Sequence, residues 1–301
     1  MAKVSAGRVR ENVWGWCLAS PLVIGLLVFT FYPLIMSITY SFCDYNLIKL
    51  SNFGLQNYKS IFGGMYTKDF LHALKITFIY SIVSVPLGMI LGYGLAMFLC
   101  MKVKGNQFLL VLYYIPTLIP AVVSGSVWND MFNETYGIFN NILVNYWGLN
   151  PIHFTDQQHL MASFLWISTF QVGGGSVIWV AGIKSVDKTY YEAALLDGAS
   201  SFKMWSKITL PMTTPYIFYN LITGIIGALQ FFTDAYILTG GSGGAGDALL
   251  SLNILIYNTA FKGWEFGVAS AMSWVLCAII GGVTVLLFLT KKWVYYADEQ
   301  A

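Results

Sequence analysis

Few residues of this chain have the types and spacing to do chemistry. Gly241-Ser242-Gly243-Gly244-Ala245-Gly246 has the G-x-G-x-x-G spacing that cradles a dinucleotide pyrophosphate, but that use needs a preceding strand and a following helix in a βαβ unit. Here the six residues follow a long apolar run, which predicts a flexible extracytoplasmic loop instead. G-x-x-x-x-G-K-[ST] does not occur, so the chain has no P-loop with which to hydrolyse ATP. Cys17, Cys43, Cys100 and Cys277 and the histidines His72, His153 and His159 lack metal-site or redox spacing. No paired acid, base and nucleophile points to an enzyme. The expectation is therefore no catalytic residue, no metal and no cofactor in this chain.

The elements around these residues are apolar. Of 301 residues 57% are hydrophobic and 10% charged, too little polarity to build a water-facing surface. Residues 12–43, 76–101, 105–129, 157–183, 208–233 and 266–290 carry no Asp, Glu, Lys or Arg, and roughly 20 such residues suffice to cross a bilayer core. These runs predict an all-α integral membrane protein with six transmembrane helices, numbered below as the first to sixth spans. Residues 135–155 are uncharged too, but Ile138, Phe139, Ile142, Leu143 and Tyr146 recur at three and four among asparagines, which predicts an amphipathic helix rather than a seventh span. With the N-terminus inside, Lys3, Arg8, Arg10, Lys102, Lys104, Lys184, Lys188, Lys203, Lys207, Lys291 and Lys292 fall on the inner side, against Lys49, Lys59, Lys68, Lys75 and Lys262 outside, 11 against 5. The positive-inside rule thus puts both termini in the cytoplasm.

In the third span Pro116 and Pro120 predict an interrupted helix, which membrane proteins tolerate where protein or a cavity re-satisfies the freed backbone groups. In the second, Gly88 and Gly92 have small-xxx-small spacing suited to close helix packing.

One polar stretch interrupts the pattern, on the cytoplasmic side at 187–211. Thr189-x-x-Glu192 has capping-box form, and Asp187 is an alternative cap. Gly198 permits a turn, Ser200 or Ser201 can cap a second helix, and Pro211 is placed to open the fifth span. A helix, turn and helix at the inner face is the expected result.

Glu192-Ala193-Ala194, three residues, Gly198, nine residues, Ile208, one residue, Leu210-Pro211 resembles the EAA loop of bacterial ABC importer permeases. The likeness extends to Trp16–Phe53, Gly54-Leu55-Gln56-Asn57-Tyr58, Tyr114-Ile115-Pro116, Gly137-Ile138-Phe139-Asn140, Tyr236-Ile237-Leu238-Thr239-Gly240-Gly241, and Ile256–Phe261 followed by Gly267, which look like maltose-type and glycerol-phosphate-type sugar permeases. Asp187 and Ser242-Gly243-Gly244 stand where that family often has proline. The resemblance implies a single permease domain of importer type I fold, with a core at about 72–292 and a coupling loop at 187–211 in which Glu192, Ala193, Ala194, Asp197, Gly198, Ile208, Leu210 and Pro211 engage an ATPase. It implies as partners a second homologous permease, two ATPase subunits that bind ATP and Mg, an extracytoplasmic solute-binding protein and membrane lipid, with no nucleic acid. The setting implied is the bacterial cytoplasmic membrane and the cargo a sugar or oligosaccharide. Glycerol phosphate or another polar solute is the alternative cargo, and an ion-coupled secondary transporter the alternative mechanism.

A sugar path needs hydroxyl partners and flat apolar faces deep in the spans. Gln171, beside Gly173, lies 13 residues before Lys184, about 20 Å up the axis. Gly227, Gln230 and Phe231 lie about 24 to 30 Å beyond Pro211. Thr117, between the two prolines, and Asp234, at the outer mouth, complete the expected path.

Overall fold

The computed structural model describes residues 6–101 and 105–295; Lys3, Lys102 and Lys104 of the charge count lie outside them. The described residues are mainly helical, with one antiparallel pairing of Asp44–Tyr45 and Leu50–Ser51. The described residues form two compact units: those up to Thr67 with Thr259–Val275, and those between Lys68 and Asn258 with those from Leu276 to Tyr295.

In the first unit the helix Trp14–Ser41 is long and apolar enough to cross a membrane, and its most apolar stretch buries nothing within the chain. Phe29 is 81% exposed, which suits lipid or another protein rather than water. The end of this helix is held by Asn57, whose amide donates to the carbonyls of Ser41 at 3.0 Å and Cys43 at 2.9 Å, and by Tyr58, whose hydroxyl donates to Ser41 Oγ at 3.0 Å. These bonds satisfy carbonyls that a helix end leaves without partners. Gly267 packs so closely here that a Cβ would overlap the Cys43 carbonyl.

The helices Thr67–Cys100, Thr214–Leu238 and Phe266–Leu289 are also of spanning length. The third span is interrupted, as its prolines predict, and the fourth is not one continuous helix. The third is a pair, Phe108–Leu118 and Ala121–Met131, bent by 94°. Pro120 sets the break: Ile119 before it is extended, with φ −73° and ψ 125°, as steric conflict with the proline ring requires. Pro116 stays inside its helix. The fourth consists of Leu160–Phe170, a 3-10 turn Gln171–Gly175 and Ser176–Lys184. Three successive glycines, each roughly 1 kcal/mol poorer than alanine in a helix, account for that interruption.

Residues 135–155 fold as the expected short helix, Ile138–Trp147, which is too short to span. Asn140, 3% exposed, pins it by accepting from Ile152 N at 2.8 Å and donating to Ile152 O at 3.0 Å. Phe139 joins the rings of Trp128, Phe132 and Phe154.

The glycine-rich segment after Thr233–Leu238 is not the slack loop expected. Gly240, Gly241, Gly243, Gly244 and Gly246 all have positive φ, Leu249 N donates to Gly243 O at 2.8 Å, and a Cβ on Gly244 or Gly246 would overlap Leu160 or Gln157. It follows a helix, so the strand that a dinucleotide site requires is missing there.

The elbow forms as helix, turn and helix, with different caps. Asp187 is the cap of Lys188–Leu196: it is extended, and its Oδ1 accepts from Thr189 N at 2.9 Å. Thr189 is therefore already helical and the Thr189–Glu192 capping box does not form. The helix ends in a Schellman motif, with Gly198 N donating to Leu195 O at 3.1 Å and Ala199 N to Ala194 O at 2.9 Å around Gly198 at φ +73°. Ser200 caps Ser201–Met204. A π turn, Trp205–Thr209, then runs into Leu210–Met212, so Pro211 lies within a helical run, and the spanning helix begins at Thr214 with Pro215 in its first turn.

Two outcomes are expected. No atom crowds a Cβ at Gly198, so Gly198→Val acts through left-handed strain alone, costing about 1–2 kcal/mol and raising amide exchange at 198–199 while the spans stay protected. The Thr189 amide holds the exposed Asp187 carboxyl below its usual range. A group with a lowered folded pKa contributes stability above its unfolded value and loses it as pH falls through the folded one. Exchange protection of the elbow, corrected for intrinsic rates, should therefore drop on acidification in the wild type and stay flat in Asp187→Asn; identical profiles would remove Asp187 from the cap.

Candidate functional site

A cavity of about 470 Å³ lies among the second, fourth and fifth spans. The second contributes Tyr80, Ser84 and Gly88, the fourth Ser168, Thr169, Gln171, Gly175 and Trp179, and the fifth Asn220, Thr223, Gly224 and Gly227. Helical spacing explains the fifth span's share, since positions 220, 223, 224 and 227 stack on one face. The glycines Gly224 and Gly227 leave open the space that side chains would fill.

Most polar groups of the wall spend their protons on their own helix. Ser168 and Thr169 donate to Leu165 O and Trp166 O, both at 2.7 Å, Thr223 to Tyr219 O at 2.9 Å and Asn220 to Tyr216 O at 2.8 Å. Their oxygens keep acceptor capacity. Ser84 Oγ is buried with no protein partner. Gln171 Nε2 donates to Asp234 Oδ2 at 3.4 Å, and Asp234 Oδ1 is buried without a partner. The wall thus combines hydroxyl and amide groups with the largely buried side chains of Tyr80 and Trp179, the mixture by which small polar ligands are oriented in a largely apolar pocket.

Of the residues expected on the path, Gln171 and Gly227 line this cavity and Asp234 is bonded to Gln171. Gly173 belongs to the 3-10 turn that carries Gln171. Thr117 packs against the same turn, within 3.4 Å of where a Cβ on Gly174 would lie. Gln230 ends the helix Thr214–Leu229, and its carbonyl accepts from Asn253 Nδ2 at 2.8 Å. Phe231 does not line this cavity: it is buried against Tyr80 and Phe164, at 4.3 and 5.4 Å between ring centroids. Asn220, Thr223, Thr169, Ser84 and Trp179 were not anticipated. The three-and-four spacing of Asn220, Thr223, Gly224 and Gly227 was the available signal.

At the elbow, Glu192, Ala193 and Asp197 are exposed, Ala194 and Gly198 belong to the Schellman turn, and Leu210 is half-buried. Ile208 and Pro211 line a small cleft with Tyr190, Lys207, Met212 and Tyr295. Leu196, 90% exposed, stands out with Leu195 and Phe202 as uncovered apolar side chains on this otherwise polar segment.

Comparison with known proteins agrees with this geometry. The family described as "Binding-protein-dependent transport system inner membrane component" matches residues 84–294. The chain is similar to a probable ABC transporter permease protein, YesP, of Bacillus subtilis, at 33% identity over 97% of this chain and 94% of that one. It is similar also to the trehalose/maltose transport system permease protein MalF of Thermococcus litoralis, at 31% identity over 93% and 94%. Its fold superposes with a TM-score of 0.82, at 20% identity over 95% and 96% of the chains, on a chain of a bacterial alginate ABC transporter solved with an alginate pentasaccharide-bound periplasmic protein. A polar cavity among broken membrane helices, an elbow of EAA form and a family match over most of the chain lead to one conclusion: the protein belongs to the binding-protein-dependent transport system inner membrane components, the permease subunits of ABC transporters.

Proposed function

We propose that this chain and a second homologous permease form the transmembrane path of an ATP-driven importer for a sugar or oligosaccharide. The cavity carries the reading, because its hydroxyl and amide oxygens, among the aromatic side chains of Tyr80 and Trp179, suit a polyhydroxylated solute. The names of relatives support it, since that of the Thermococcus protein specifies trehalose and maltose. An extracytoplasmic binding protein would deliver the sugar. Two ATPase subunits, holding ATP and Mg, would move the permease through the elbow, where Leu195, Leu196 and Phe202 offer apolar anchors to a cleft. Both termini and residues 184–210 face the cytoplasm and residues 237–265 the outside, on the Lys and Arg count, and the membrane is the bacterial cytoplasmic one. The chain itself changes no covalent bond.

An ion-coupled carrier has one observation in its favour. The fifth spanning helix runs on to Leu238 and so includes Asp234, whose Oδ1 is buried and unpartnered, and such intramembrane carboxylates often serve ion coupling. Transport in vesicles separates the two: dependence on ATP and added binding protein supports the importer, and dependence on an ion gradient supports the carrier. The cargo is the ligand recovered by mass spectrometry from the co-purified binding protein. Recovery of glycerol phosphate would keep the importer and change the substrate.

With that ligand as probe, Gln171→Leu or Asn220→Leu is expected to cut uptake by about tenfold or more, equivalent to about 1.4 kcal/mol, with assembly and ATP hydrolysis largely kept. Normal transport by both variants would take these residues out of the path. For orientation, Ser242→Cys in a background without the native cysteines should react with an impermeant thiol reagent from the outer side; labelling from the cytoplasm alone would invert the topology.

A further inference from the structure

The elbow is joined to the cavity walls by directional bonds. The Tyr191 hydroxyl lies 2.8 Å from Thr209 Oγ1, and the Tyr93 hydroxyl 3.0 Å from Thr213 Oγ1. Thr213 Oγ1 also donates to Thr209 O at 2.8 Å. With its single proton engaged there, Thr213 takes the proton of Tyr93. Thr209 is 5% and Thr213 0% exposed, so no water competes along the inner part of this chain.

We infer that Tyr191, Thr209, Thr213 and Tyr93 are positioning residues, a hydrogen-bonded chain with a buried threonine centre that carries displacement of the elbow to the walls of the cavity. The inference rests on the reading of the elbow as the ATPase contact. The two members of the chain furthest from the elbow adjoin the walls. Tyr93 is on the second span one turn beyond Met89, which lines the cavity, and its ring meets Trp179 of the fourth span edge-on at 5.3 Å between centroids. Thr213 adjoins the fifth span, two turns before Asn220.

The neighbouring contacts cannot do this work alone. Around Ala96, Leu99, Trp179 and Val180 the packing is apolar, and such contacts are non-directional. Hydrogen bonds weaken steeply with misalignment, and a buried hydroxyl left without a partner is costly. An elbow that moves therefore either breaks the buried Thr213–Thr209 bond or the part-buried Tyr93–Thr213 bond, or takes the ends of the second and fifth spans with it. The π turn Trp205–Thr209 just before Pro211 is the piece that brings Thr209 to Tyr191, in keeping with the frequent placing of π turns at functional sites.

The test uses the complete complex with its ATPase subunits in lipid discs. Spin labels at Leu87 and Thr223, on the second- and fifth-span walls, report their separation without nucleotide and after trapping with ATP and vanadate. The wild type is expected to shift on trapping. Thr213→Val and Tyr93→Phe are expected to assemble and hydrolyse ATP while the shifted population falls by about fivefold or more, and Thr213→Ser, which keeps the hydroxyl, should restore it. An unchanged shift in both Thr213→Val and Tyr93→Phe would overturn the inference, and so would loss of assembly in both, which marks a purely structural role. If the wild type itself shows no nucleotide-dependent shift, the ATPase-contact reading fails first.

Discussion

In a bilayer core no water pairs with a backbone amide or carbonyl, so every interruption of a helix must be repaired by protein. Three interruptions organise the second unit, and each is repaired. At 119–120 Ile119 N turns back to Pro116 O at 3.3 Å, and Thr117 Oγ1 donates to Tyr114 O at 2.7 Å. At 171–175 the 3-10 turn keeps its own bonds and is packed by Thr117. At 230–232 Gln230 N returns to Gly227 O, and Asn253 supplies a donor to the Gln230 carbonyl. The need to cover broken backbone thus gathers polar side chains at the same depth as the cavity.

That gathering is also what makes a path through a membrane possible. Continuous apolar helices would leave a polyhydroxylated solute no partners, whereas the breaks bring Gln171 to Asp234 and open the wall between Ser84 and Asn220. The second span, helical without a break from Thr67 to Cys100, is the continuous wall of the cavity beside the interrupted fourth and fifth. The elbow is stiffened by its own caps, Asp187 and Ser200, and by the Gly198 turn. A rigid elbow bonded to the span ends can pass on motion; a frayed one would absorb it.

Much of this was legible in the residues. Charge-free runs long enough to cross a bilayer are a property of composition, and no tertiary contact is needed to see them. The elbow was legible because caps and turns act over three or four residues, although the choice of Asp187 over Thr189 as the cap was decided only by which of them took extended dihedrals. Gln171 and Gly227 were placed at cavity depth by rise per residue alone.

What the sequence could not determine depended on partners distant along the chain. A proline predicts a break but not its angle, and the 94° turn at Pro120 reflects how the two legs pack. The glycines at 240–246 resembled slack because glycine allows both freedom and tight approach; only the nearness of Leu160 and Gln157 showed which applied. Phe231 looked like a sugar platform until Tyr80 and Phe164 covered it. The sequence by itself determined that the chain is a helical membrane protein with a polar inner elbow, because hydrophobicity and local capping are read within a few residues. The tertiary structure alone decided which polar side chains share the cavity and that Tyr93, 120 residues from Thr213, is its bonded neighbour, because such pairings are fixed by the packing of whole helices and leave no local trace.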